Sequence, residues 1–373
     1  VSSRSACAVP NKRIWLLSAY RADSHARWAD ALILRHTGFD WRCFELPGRH
    51  FAWRIRGNPL SWLDAFDRRV AGPPPDALIA TSMVDLATIR GLHPGLAEVP
   101  TLLYFHENQF AYPRSDRQTT SVEAQMVQLY AALAADRVAF NSEYNRASFL
   151  AGVDALMRRM PDSVPAGLVE RLAAKSEVLP VLVEAIRPAA ERDPLLIAWN
   201  HRWEYDKDPD LFAEALCRMV DGGVPFRLAL LGPRGARPVP ALARIRSQLG
   251  ARIVADGAVD RAAYAALLGR AAIVVSTAQH EFQGLAVLEA VSAGCIPVVP
   301  DALCYPEQFA ARYRYPAGDL KALIGRLTDA LAGCLDPPSV ARWTGPEPDT
   351  AWSRALERLT NGYSPFPDPA EPL

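Results

Sequence analysis

At 373 residues, half of them apolar, the chain exceeds a typical single core and carries enough apolar material for two ordinary domains. Its 41 basic and 41 acidic residues cancel, which excludes both a globally basic nucleic-acid surface and an acidic disordered tail; a polyanionic partner must be met by a local patch. The six cysteines (Cys7, Cys43, Cys217, Cys295, Cys304, Cys334) show no CxxC or His-paired spacing, so neither a zinc site nor a disulfide framework is expected.

The opening "VSSRSACAVPNKRIWLLSAY" has an apolar stretch too short for a signal-peptide core or a membrane span, so a soluble, cytoplasmic protein is expected. Its "IWLL" begins a series of short apolar runs that continues with "ALIA" at 77, "TLLYF" at 101 and "VAF" at 138. Helical spacing separates them, as in Val122, Met126, Leu129, Tyr130 and Leu133. After the Pro-bearing stretch near 180 to 194 a second series follows: "LLIAW" at 195, "FRLALLG" at 226, "RIVAD" at 252, "AAIVVST" at 271 and "IPVVP" at 296. The alternation predicts an α/β protein of two Rossmann-like domains, 1–187 and 188–345, with the ligand in the cleft between them. A tail, 346–373, holds one more helix, "DTAWSRALERL", that could cross back to the first domain.

Polar clusters fall where strands end. "AYRADSH" (19–25) offers Ser24 and His25 at a helix start, and "TLLYFHENQFAYP" (101–113) ends a strand in His106, Glu107, Asn108 and Gln109. In "PGRHFAWRIRG" (47–57), Arg49, His50, Arg54 and Arg56 interleave with Phe51 and Trp53; cations meet phosphates and aromatic faces stack on bases, so this is the best nucleic-acid candidate. "WNHRWEYDKDPD" (199–210) sets Arg202 and Lys207 in a strand-to-helix loop, a pair suited to clamping a diphosphate. Asp206-Lys207-Asp208 also spells a DxD, but the intervening lysine already supplies positive charge, and no metal is required.

In "HEFQGLAVLEAVSAGCIPVV" (280–299) the backbone amides of Gln283, Gly284 and Leu285 are the free donors of a helix start, favourable to an anion, and Gly284 permits close approach. Glu281 and Glu289, roughly 12 Å apart if the whole segment were helical, could hold hydroxyls at opposite ends of one elongated ligand.

Glu, Phe, any residue, Gly, then a second Glu eight residues after the first resembles the signature of retaining GT-B glycosyltransferases of the glycogen-synthase-like group. The longer stretches "YFHENQFAYP", "FNSEYNRASFL", "NHRWEYDKDP" and "STAQHEFQGLAVLEAVSAGCIPVVPDALCYPE" are similar to the tRNA-queuosine mannosyltransferase family. That resemblance, over about residues 14 to 360, implies a GT-B fold, GDP-mannose as donor, no cofactor, and transfer of mannose with retention onto the cyclopentene ring of queuosine in a tRNA anticodon. It implies donor contacts from Arg202, Lys207, Glu281, Phe282, Gln283, Gly284, Leu285 and Glu289. The cations and helix amides would hold the diphosphate, Glu281 the sugar and Glu289 the ribose.

Catalysis would rest on Arg202, Lys207, Glu281 and His106, the last beside the reacting sugar. Acceptor contacts would come from Ser24, His25, Glu107, Asn108, Arg49, Trp53, Arg54 and Arg56. One departure is Ala22-Asp23, where the family usually has two glycines. Two rival readings are the same donor site serving a metabolite or glycan acceptor, and a sugar-nucleotide or tRNA binding protein without turnover.

Overall fold

The computed structural model describes residues 11–112, 122–235 and 238–361; Cys7 and the side chain of Asp23 lie outside what it describes. Six parallel strands form the first sheet: β1 (Arg13–Arg21), β2 (Asp40–Pro47), β3 (Ala77–Thr81), β4 (Thr101–Phe105), β5 (Arg137–Phe140) and β6 (Ser176–Val178), in the order β2-β1-β3-β4-β5-β6. The second contains β7 (Asp193–Trp199), β8 (Arg227–Leu230), β9 (Ile253–Asp256), β10 (Ala271–Val275), β11 (Ile296–Pro300) and β12 (Arg314–Tyr315), in the order β12-β11-β10-β7-β8-β9. Every strand pair is parallel, and β3, β4 and β11 are buried throughout. Helices on both faces are what make such continuous apolar runs stable as strands.

The topology decides where a ligand binds. Strand order reverses beside β7, between β8 and β10, so the loops leaving β7 and β10 diverge and open a crevice at their carboxyl ends. Arg202 and Lys207 follow β7, and Glu281 follows β10. In the first sheet the reversal lies between β2 and β3, about β1, whose following loop leads into the helix Asp23–Arg35.

The C-terminal helix, Pro346–Thr360, closes the back of the first domain. Trp352, Ala355, Leu356 and Leu359 share one core with Ile14, Leu16, Trp28 and Tyr104, and the Trp352 indole donates to the Pro180 carbonyl at 3.0 Å. Truncating a core tryptophan of this kind costs about 3–5 kcal/mol. Residues 348–360 therefore belong physically to the first domain although they follow the second in the chain. Among the described residues the cysteines are unpaired, and no helix is long and apolar enough to cross a membrane.

Candidate active site

The crevice of the second domain is built from two loops stitched together. After β7 a short turn, Tyr205–Lys207, leads to Asp208 in left-handed conformation, whose carboxylate caps the helix Pro209–Asp221 by accepting from the Leu211 amide at 3.1 Å. The second oxygen of Asp208 accepts from the Gln279 side chain at 2.8 Å, and the Thr277 hydroxyl donates to the Lys207 carbonyl at 2.8 Å. The Gln279 amide donates to the Asp206 carbonyl at 2.8 Å. On the far side Gly232 lies so close that a Cβ would stand 1.4 Å from the His201 carbonyl oxygen, so only glycine fits.

Five charges meet within this frame. The buried Lys207 ammonium lies 3.2 Å from Asp206, 3.3 Å from Glu281, and donates to the His280 carbonyl. Arg202, half exposed, reaches Glu204 at 2.9 Å and Asp206 at 3.7 Å. Burial alone would raise the Glu281 pKa, but Lys207 and the Gly284 amide outweigh it and hold the carboxyl at about 2. Burial likewise pushes Lys207 down, whereas Glu281 and Asp206 raise it above the usual lysine range. His201 and His280, desolvated beside the cations, fall to about 4 and are neutral at pH 7. An anion entering the crevice would have to compete with Glu204, Asp206 and Glu281 for these two cations, a charge-assisted exchange. The two carboxylates of the DxD thus have other partners: Asp208 caps a helix and Asp206 faces Lys207.

The helix Leu285–Ser292 starts at Gly284, whose φ of 67° is left-handed and whose Cβ, if present, would lie 3.2 Å from the Tyr305 ring. The structure gives this turn more internal work than the sequence suggests. The Phe282 and Gly284 amides point to Glu281, so the loop first orients its own carboxylate. The Gln283 side chain forms a reciprocal pair with Val181, donating to its carbonyl at 2.8 Å and accepting from its amide at 2.9 Å, which ties the loop to the interdomain connection. Leu285, on the first helical turn, is half-buried between the two domain cores. Glu289 is buried, with one oxygen accepting from Arg261 at 3.0 Å and the other from the Tyr264 hydroxyl at 2.9 Å; Arg27 of the first domain approaches to 3.6 Å. Arg261, Tyr264 and Arg27 had no motif to reveal them.

Across the cleft, His106 is boxed by aromatic rings: His25 stacks on it at 4.1 Å, while Trp28 and Tyr104 meet its edge at 4.6 and 4.7 Å. The His106 Nε2 is buried with no protein partner, and desolvation together with His25 drives its pKa well below the ordinary value. The His25 Nδ1 donates to the Tyr20 carbonyl at 2.9 Å, which places the proton on that nitrogen, and desolvation lowers the ring's pKa to about 4. His25 is therefore a packed, neutral ring inside the first turn of its helix rather than an open group, while Ser24 beside it is half-buried.

Glu107 is half-buried and faces Arg202 and Lys207; burial raises its pKa against their pull. Asn108 differs from its neighbours. Its amide nitrogen donates to the Asn145 carbonyl, the Asn145 side chain and Ser148, and its oxygen accepts from the Phe110 and Ala111 amides, so this fully buried side chain organises the loop and has no capacity left for an acceptor.

The basic-aromatic stretch forms a helix, Phe51–Ser61, entered through left-handed His50. Arg49 and Trp53 are exposed, and Arg54 bonds Ser61 at 3.2 Å. Arg56 pairs with Asp85 at 2.6 Å and Glu123 at 3.4 Å, which neutralises it.

The domains also touch away from the reacting centre. Glu307 accepts from the Glu143 and Tyr144 amides at 3.1 and 3.3 Å, filling the free amides of the helix Glu143–Met157, and its neighbour Gln308 donates to the Gln283 carbonyl at 2.7 Å.

Two parallel sheets facing across a cleft, with the cation and carboxylate loops at the switch point of the second, define a GT-B glycosyltransferase. Solved structures of that fold superpose over nearly the whole chain: a sucrose-phosphate synthase from Thermosynechococcus elongatus (TM-score 0.65, 15% identity, 94% of this chain and 93% of that one) and the catalytic domain of starch synthase IV from Arabidopsis thaliana (0.63, 11%, 95% and 99%). Residues 13–183 match the model of the tRNA-queuosine alpha-mannosyltransferase N-terminal domain, and residues 193–332 match glycosyl transferases group 1. A tRNA-queuosine alpha-mannosyltransferase of Drosophila melanogaster is 32% identical over 349 residues, covering 90% of each chain. The chain belongs to the tRNA-queuosine alpha-mannosyltransferase family.

Proposed function

We propose that the protein transfers mannose from GDP-mannose to a ring hydroxyl of queuosine in a tRNA anticodon, with retained configuration. Family membership supports the sugar and the acceptor, and the observation that carries the chemistry is the Lys207–Glu281 pair, 3.3 Å apart at the switch point of the donor domain. In the reaction the bond from the sugar C1 to the diphosphate oxygen breaks, C1 bonds to the acceptor oxygen on the same face, and the acceptor proton passes to the departing phosphate oxygen.

Leaving-group charge is the principal barrier that protein dipoles and cations can lower, so Arg202, Lys207 and the helix start after Gly284 are the main electrostatic catalysts. These side chains supply the charge a divalent ion would otherwise bring, and the proposal invokes no cofactor. Glu281, held ionised at about 2, is a permanent acceptor for sugar hydroxyls and keeps C1 aligned. Glu289 meets the ribose by exchanging its Tyr264 or Arg261 bond. Neutral His106 offers its unpartnered Nε2 beside the sugar, and Glu107 with Ser24 meets the acceptor from the first domain. A tRNA acceptor supports a cytoplasmic location.

The test is incubation with labelled sugar nucleotides and total tRNA, with and without queuosine. Label entering RNA only from GDP-mannose, and only when queuosine is present, is expected; label absent from RNA under all conditions refutes the reading.

A further inference from the structure

The helix Phe51–Ser61 carries an exposed indole on an unusually well-anchored support. Pro59 has no amide to offer the Ile55 carbonyl, and the fully buried Asn58 repairs the gap: its side-chain nitrogen donates to the carbonyls of Arg54, Ile55 and Met83, and its oxygen accepts from the Asp85 amide. Arg56 adds an ion pair to the same Asp85. On this fixed helix Trp53 lies flat against Gly57, where a Cβ would meet the indole at 2.3 Å, yet 54% of the residue remains exposed. Packing thus fixes one face of the ring and leaves the other to solvent, which is the geometry of a stacking surface rather than of a core tryptophan.

Its position and charge favour RNA. Phe51 packs edge-on against Tyr20, whose carbonyl bonds His25, and Gly48 rests on the Arg21 carbonyl; the start of the helix therefore sits at the carboxyl end of β1, next to the His25–His106 stack. Exposed Arg49 and half-buried Arg54 precede and follow Trp53 in the chain, Arg54 bonding Ser61 on the same helix, whereas the charge of Arg56 is already balanced by Asp85 and Glu123. We infer that Trp53 is a preformed platform on which an unpaired base near the modified nucleotide stacks, with Arg49 and Arg54 meeting the adjoining phosphates. This rests on the tRNA reading above and adds the surface that receives the RNA.

Stacking of one base on an aromatic ring is worth about 1–3 kcal/mol, so loss of the indole should weaken RNA binding by roughly tenfold or more. The experiment measures binding of a fluorescein-labelled, queuosine-containing anticodon stem-loop to the full chain by anisotropy, alongside transfer to the same RNA. Trp53→Ala is expected to raise Kd at least tenfold, Trp53→Phe to stay within about threefold, and Gly57→Ala, which pushes the ring off its seat, to resemble Trp53→Ala. Arg49→Ala should reduce the slope of log Kd against log salt by about one phosphate contact. Wild-type transfer with Kd unchanged in Trp53→Ala overturns the platform and leaves the reaction standing. Binding that weakens as predicted without transfer by the wild type overturns the reaction and keeps the platform. A wild type that binds no RNA overturns both.

Discussion

The two halves of the cleft are built on different terms. On the donor side charged groups are already engaged: Lys207 with Asp206 and Glu281, Arg202 with Glu204, Glu289 with Arg261 and Tyr264. The first domain instead keeps an exposed indole at Trp53 and a buried His106 Nε2 with no protein partner, next to groups such as Asn108 that are fully engaged. A small charged donor can be met by a constellation assembled in advance, because preorganised charges need no rearrangement as the reaction proceeds. A large RNA must complete its own site, and a surface that waits for it keeps unsatisfied or exposed groups.

The largest effects are expected on the donor side. Lys207→Met should abolish transfer and also destabilise the second domain by about 3–5 kcal/mol, because Asp206 is left buried without its nearest cation; activity and thermal melting measured together check both. Glu281→Gln should lower kcat about 100-fold or more with a smaller change in melting, since Lys207 keeps Asp206. A kcat unchanged there would remove Glu281 from the sugar. Glu289→Gln is expected to raise the donor KM about tenfold with kcat little changed, read from steady-state kinetics at saturating tRNA.

Acid should affect both halves together. His25, His201 and His280 have folded values of about 4 against an ordinary 6.5, so the unfolded chain binds protons first as pH falls. Their contribution is complete above pH 6.5 and is lost between 6.5 and 4, by up to about 3 kcal/mol per ring. Glu281, about 2 against 4.5, contributes above 4.5 and loses that contribution only on going from 4.5 toward 2. A melting temperature that is flat from pH 7 to 4 contradicts the buried neutral imidazoles. The smallest effect is expected at Arg56→Ala, within about twofold in RNA binding, because Asp85 and Glu123 already neutralise that guanidinium.

Much of the fold is legible in sequence because buried parallel strands are continuous apolar runs; "IWLL", "TLLYF" and "AAIVVST" could be little else. β2, Asp40–Pro47, escaped because it is an edge strand with a single buried position, Phe44. The helix after His50 was hidden by Gly57 and Pro59, which read as loop and are instead a seat for Trp53 and a gap repaired by Asn58. Lys207 and Glu281, 74 residues apart, are associated in the sequence by the family resemblance and by no local pattern, and the order of strands is what sets them 3.3 Å apart. Asn108 looked like a cleft residue because it is polar and ends a strand, but its five hydrogen bonds all lie within the protein. Arg261 and Tyr264 left no trace, since a helix face chosen for a partner on another helix has no local pattern.

The claim that the donor half is complete before RNA arrives is tested most directly by calorimetric titration of the full chain with GDP in the absence of tRNA. Saturable binding is expected, unaffected by Trp53→Ala and weakened at least tenfold by Lys207→Met. Binding seen only after tRNA is added, or undiminished in the lysine variant, would contradict it.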